Sequence, residues 1–130
     1  MSAGRYSFVI EQGSTFNLEL QYQDNSGTPI DLSGYGARMH IRPEISSSTI
    51  YIALSSSLQA DGTGLNLSGS TGTKPPSSGS IGIYISAASS SVLSFDNGVY
   101  DLEVYNQVGG VETVTRILEG KVKLSKEVTR

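Results

Sequence analysis

The sequence predicts an all-β fold: an antiparallel two-sheet β-sandwich of Ig-like type, formed as a single domain over residues 1–130. Three observations carry that expectation. Apolar and polar residues alternate with period two along most of the chain, which sends successive side chains to opposite faces of a strand. Turn residues break the alternation at short intervals, as they do in sandwiches. The chain is 130 residues long, enough to bury roughly two-thirds of its unfolded surface in one core without staples. The alternation yields eight or nine strands, and at this length an Ig-like sandwich fits better than a barrel.

The elements follow in order. Residues 1–5 form a flexible arm. Tyr6, Phe8 and Ile10 alternate with Ser7 and Val9 in a first strand, which Gly13 and Ser14 break. Phe16, Leu18, Leu20 and Tyr22 alternate with Asn17, Glu19 and Gln21, a pattern with one buried face. Asp24-Asn25-Ser26-Gly27 is turn chemistry, and Pro29, lacking a backbone donor, suits an entry position. After a bend at Ser33-Gly34, Ala37, Met39 and Ile41 alternate with Arg38, His40 and Arg42, and Pro43 ends the strand. Ile50, Ile52 and Leu54, then Leu65 and Leu67, mark two short strands joined through residues 55–63. Residues 69–79, with Lys74-Pro75-Pro76, form an exposed, flexible Ser/Gly-rich loop.

Ile81, Ile83 and Ile85 restore the alternation. At most one short helical turn is expected, near Ser86 to Leu93, with Ser86 as its N-cap. Asp96-Asn97-Gly98 reads as a turn. Tyr100, Leu102 and Val104 alternate with Asp101, Glu103 and Tyr105, and Gly109-Gly110 joins this strand to the next as a hairpin. Gly120 marks a bulge or bend before Val122 and Leu124. Residues 125–130 are a charged tail.

Composition narrows the function classes. The formal net charge is -3, so no broad cationic surface exists for nucleic acid or anionic lipid. There is no cysteine, which removes disulfides and thiolate metal sites and suits folding in a reducing cytoplasm. No apolar run approaches the ~20 residues that span a bilayer, and Met1-Ser2-Ala3-Gly4-Arg5 has no signal-peptide character.

No catalytic constellation emerges, and neither cofactor nor metal is expected. His40 is the only histidine, too few for a histidine-based metal site. Asp24, Asn25, Ser26 and Asp31 lack the carboxylate count of a calcium loop, and a hairpin turn explains them. The serines have no partnering base and no Gly-x-Ser-x-Gly elbow. Gly69-Ser70-Thr71-Gly72-Thr73-Lys74 misses the phosphate-loop spacing. Asp101 and Glu103 share a strand face, but without tryptophan they lack the strongest sugar platform for glycoside hydrolysis. Their better reading is electrostatic. Arg38, Arg42 and Arg116 also sit in polar phases, so cross-strand pairs of Arg38 or Arg42 with Asp101 or Glu103 are expected as structural ion pairs.

The order and spacing of several motifs resemble a recurrent domain of tailed-bacteriophage virion proteins, the N-terminal Ig-like adaptor domain of baseplate and tail-fibre-anchoring proteins. The resemblance rests on Gly13-Ser14-Thr15-Phe16, Gly27-Thr28-Pro29-Ile30-Asp31-Leu32-Ser33-Gly34-Tyr35 leading into residues 37–42, and Gly79-Ser80-Ile81. It continues through Gly98-Val99-Tyr100-Asp101-Leu102-Glu103, Arg116-Ile117-Leu118-Glu119-Gly120-Lys121-Val122 and Glu127-Val128-Thr129-Arg130. The chain departs from that pattern in its long Ser-rich middle, residues 46–78. The resemblance implies a non-enzymatic virion component, assembled in the host cytoplasm, that links fibres or receptor-binding proteins to the tail, baseplate or neck. Its implied partners are other virion proteins and copies of itself in a symmetric ring or trimer, with no nucleic acid and no membrane. Capsid decoration is an alternative, as is host-glycan binding through Tyr35, Tyr51, Tyr84 and Tyr105. Interface positions are expected at the arm (Arg5), the loop (Lys74, Pro75, Pro76) and the tail (Lys126, Glu127, Val128, Arg130), where free backbone groups can meet a neighbour.

Overall fold

A computed structural model describes residues 4–128, apart from the Val108 side chain. Nine strands and two short helical turns form among these residues: β1 (Gly4–Arg5), β2 (Phe8–Glu11), β3 (Phe16–Gln21), β4 (Gly36–Arg42), β5 (Ile52–Ser55) and β6 (Gly64–Asn66). A 3-10 turn (Pro76–Ser78), β7 (Ser80–Ile85), α1 (Ala87–Ser91), β8 (Asn97–Val108) and β9 (Val111–Ser125) complete the order.

The strands divide into two sheets. The larger has the order β1-β9-β8-β4-β5, with β2 also on β9, and the smaller has the order β3-β7-β6. The chain passes from one sheet to the other between β2 and β3, β3 and β4, β5 and β6, and β7 and β8. The alternation explains the core between them. β4 turns Ala37, Met39 and Ile41 inward, β8 contributes Tyr100, Leu102 and Val104, and β7 contributes Ile81, Ile83 and Ile85. Ile10 on β2, Leu54 on β5, Leu65 on β6 and Val122 and Leu124 on β9 join the same buried cluster. Burial of this many branched aliphatic side chains is the main source of stability, at roughly 1.5–3 kcal/mol each before entropy is subtracted.

Several expectations are corrected. The larger sheet is mixed rather than wholly antiparallel: β1 and β2 run parallel to β9, with Gly4 opposite Leu118 and Phe8 opposite Val122. Gly4 and Arg5 therefore belong to the sheet and not to a flexible arm; residues 1–3 lie outside the described part. β5 and β6 belong to different sheets, because β5 pairs beside β4, with Leu54 opposite Met39, while Leu65 pairs with Ile83 of β7. Asn97 and Gly98 are already strand, opposite Lys123 and Val122, so the bend is confined to Asp96.

The irregularity in β9 is also not at Gly120. Leu102 faces Leu118 while Glu103 faces Arg116, so Ile117 is the extra residue of the bulge. Gly120 serves another purpose. A Cβ there would stand 2.0 Å from the Tyr6 carbonyl oxygen, so its lack of a side chain lets the β1–β2 link lie close against β9. The Tyr100 hydroxyl fills the remaining space and donates to the Tyr6 carbonyl at 2.5 Å.

The helical turn α1 forms where expected, with the Ser86 hydroxyl accepting from the Ser89 N–H at 3.0 Å. The 3-10 turn at Pro76–Ser78 is a second helical element that the alternation did not indicate. It lies within the Ser/Gly-rich loop, which folds back on the smaller sheet. The loop can do so because Gly82 has no side chain: a Cβ there would meet Ser70 backbone atoms at 2.7 Å. Glu19, opposite Gly82 on β3, fastens the loop by accepting from Ser70 N–H (2.8 Å), Ser70 Oγ (3.1 Å) and Lys74 Nζ (2.6 Å).

Candidate functional site

The outer face of the larger sheet carries most of the charge. Inward-facing Ala37, Met39 and Ile41 force Arg38, His40 and Arg42 outward, and the same alternation exposes Asp101 and Glu103 on β8. Register brings these together: Arg38 lies opposite Glu103, and His40 opposite Asp101. Across the other edge of β8, Glu103 lies opposite Arg116 and Asp101 opposite Glu119.

The charges largely satisfy one another. Arg38 Nε is 3.0 Å from Glu103 Oε1, and its Nη1 is 3.4 Å from Glu112. The Arg38 guanidinium also lies over the Tyr105 ring, 4.8 Å from its centroid. Arg116 Nε is 3.3 Å from Asp101, and its Nη1 is 3.5 Å from Glu119. The Glu103 hydrogen bond pushes the Arg38 guanidinium further up. Burial pushes the Asp101 carboxyl up, with Arg116 opposing it.

Arg42 is the exception to the expected pairing. It faces Val99 rather than an acid, and its Nη1 donates to the Ser47 carbonyl at 3.0 Å. Its Nη2 is 3.2 Å from His40 Nδ1. Arginine can only donate, so His40 Nδ1 is the acceptor in this contact. This spends the lone histidine on a neighbour's side chain.

Between these groups runs an open groove of about 510 Å³, bordered by Arg5, His40, Arg42, Asp101, Arg116 and Lys121. It offers charges of both signs, with no nucleophile held by a base. Among the described residues, no three His, Cys, Asp or Glu side chains stand close enough to hold a metal ion. No helix among them is long and apolar enough to cross a membrane.

The expected interface positions do not share one surface. Arg5 lies on the groove, its Nη2 3.7 Å from Glu119. Lys74 lies on the outer face of the smaller sheet, bound to Glu19, with Pro75 and Pro76 exposed beside it. The Pro76 carbonyl accepts from the Leu32 N–H at 3.0 Å. Lys126 Nζ donates to the Ser94 carbonyl at 2.9 Å and lies 3.5 Å from Asp96. The Glu127 N–H donates to Gln12 at 2.9 Å, while the Val128 side chain is exposed. Arg130 lies outside the described residues. The four tyrosines considered for glycan binding are half-buried and scattered: Tyr51 stacks on Phe95 at 4.4 Å, Tyr105 lies under Arg38, and Tyr84 is on the opposite sheet.

A second polar cluster was not visible in the sequence. Asp61 accepts from Ser86 Oγ, from the Thr63 N–H at 3.0 Å and from Ser89 Oγ at 3.1 Å. These hydrogen bonds, Ser86 foremost, hold its carboxyl well below the usual range. The cluster ties the loop before β6 to the start of α1. Ser90 closes the other side of that helix, donating to the Ser14 carbonyl at 2.8 Å and accepting from the Gly13 N–H at 3.0 Å. The residues are far apart in sequence, so only an Asx-type pattern at Asp61-Gly62-Thr63 hinted at it.

No protein-family model matches the chain, and no curated protein matches it in sequence.

Proposed function

We propose that this chain is a non-enzymatic structural component of a tailed-phage particle, an adaptor that links fibres or receptor-binding proteins to the tail, baseplate or neck. The observation that carries the reading is the arrangement of the charged face. Most of its acids and bases, Arg42 aside, are spent on pairs with one another, which suits a framework that presents edges and loops to other proteins rather than a site that turns over a substrate. The motifs that resemble phage adaptor domains support it further, since residues 37–42, 98–103 and 116–122 fall on three adjacent strands, β4, β8 and β9. We read the two sheets with their repeated crossings as an Ig-like sandwich in which β1 and β2 add a parallel edge.

Crosslinking mass spectrometry on purified particles tests the proposal. Crosslinks from Lys74, Lys121 or Lys126 to tail, baseplate or fibre proteins are expected. Absence of the protein from particles would remove the virion reading, and crosslinks confined to the capsid would replace the adaptor role with decoration.

A further inference from the structure

Among the described residues, the hairpin β8–β9 has one stretch of sheet edge with no strand beside it. β4 covers β8 only as far as Tyr105, opposite Gly36, so residues 106–108 pair with β9 alone. On the far side of β9, β1 begins opposite Leu118 and β2 opposite Val122. Among the described residues, nothing pairs with residues 111–117 on that side.

The backbone register shows which groups this edge presents. The Leu124 N–H donates to the Asp96 carbonyl, so even-numbered residues of β8 turn their polar backbone groups toward β9. Beyond the bulge, Val104 faces Thr115 and Asn106 faces Thr113. The backbones of Thr113 and Thr115 are therefore used by β8. The N–H and C=O groups of Glu112, Val114 and Arg116 point away from it, toward the open side. The exposed apolar residues Val111 and Val114, at 67% and 41% accessibility, flank these groups.

We propose that this edge pairs with the same edge of a second copy, antiparallel about a two-fold axis through Val114. That register is self-complementary. Val114 meets Val114 of the other copy, and Glu112 meets Arg116 twice, once on each side of the axis. All three positions turn their backbone groups to this side, so each becomes a hydrogen-bonded pair of an antiparallel ladder. The edge of β3 lacks this property: pairing centred on Glu19 sets like charges face to face. A contact of this kind is isologous and closes as a dimer. The inference stands on register and charge, independent of the virion reading. One short ladder buries less than about 1,000 Å², so the dimer is transient.

Amide exchange by NMR at two protein concentrations, low and up to about 1 mM, tests it. The amides of Glu112, Val114 and Arg116 become protected as concentration rises, while Thr113 and Thr115 are protected throughout. Uniform behaviour along the edge, or protection of all five at every concentration, would overturn the proposal, the latter because the chain itself would be covering the edge. Sedimentation of charge variants fixes the register. Glu112→Arg or Arg116→Glu alone weakens association roughly tenfold, and the two together restore it. Singles and double equally weak would overturn the register. Native-like amide dispersion confirms that each variant folds.

Discussion

Replacing Gly120 by alanine separates two effects of opposite sign. The backbone at Gly120 is not in the left-handed region, so alanine is conformationally allowed. On unfolded-chain entropy alone the substitution would stabilise the fold by about 0.4–1 kcal/mol. The close approach of the β1–β2 link reverses that sign. The added Cβ would lie 2.0 Å from the Tyr6 oxygen and 2.7 Å from its carbonyl carbon, so the link must lift by about 1.5 Å to reach an ordinary contact. Lifting it breaks the Tyr100 hydroxyl bond to the Tyr6 carbonyl (2.5 Å) and the Tyr6 N–H bond to the Glu119 carbonyl (3.0 Å). Each is worth about 1 kcal/mol. Loosened packing of Phe8, whose ring lies 4.9 Å from Tyr100 and 5.0 Å from Phe16, adds to the loss. The expected net is a destabilisation of about 2 kcal/mol. In a urea titration this lowers the midpoint by about 1 M. Tyr100→Phe then completes a cycle: it costs about 1 kcal/mol in the parent chain and close to nothing beside Gly120→Ala, because the bond it removes is already broken. A Gly120→Ala protein as stable as the parent, or more so, would refute the reasoning.

Further outcomes follow from other contacts. Lys74 and Ser70 hold the Glu19 carboxyl down to about 2. A depressed folded value means that the anchoring is fully present above the ordinary carboxylate range and is lost as pH falls through about 2. Amide exchange over residues 70–74 should accelerate across that acid range, and Glu19→Gln should produce faster exchange already at neutral pH. Arg38→Ala should cost about 1–2 kcal/mol in chemical denaturation, because it removes the Glu103 pair, the Glu112 contact and the Tyr105 stacking together. A double-mutant cycle with Glu103→Ala should return a coupling of about 0.5–1 kcal/mol, while Arg42→Ala with Glu103→Ala should return none. Ser90→Ala should cost about 1–3 kcal/mol, since it strands the Gly13 N–H and the Ser14 carbonyl beneath a fully buried side chain; thermal unfolding measures it.

Local alternation was enough to identify most of the strands and their faces, though not β1 at Gly4–Arg5 or the start of β8 at Asn97. Ala37, Met39 and Ile41 are buried and Arg38, His40 and Arg42 lie on the outer side because period two is a property of the extended backbone itself, independent of what packs above it. The same logic put Asp101 and Glu103 in phase with Arg38 and Arg116, and Ser86 announced its helix because capping is a contact across three residues. Pairing partners were decided at longer range. The parallel addition of β1 and β2 to β9, the separation of β5 from β6 and the bulge at Ile117 depend on which strands meet across the whole chain. Glycines illustrate the limit: Gly120 and Gly82 look like ordinary breakers in sequence, yet each exists so that a distant backbone, at Tyr6 or Ser70, can approach. The Glu19 latch, the Asp61 cluster and the substitution of Ser47 and His40 for an acid at Arg42 belong to the same class. Their energies come from groups brought within about 3 Å by the tertiary fold, and no short-range pattern encodes that proximity.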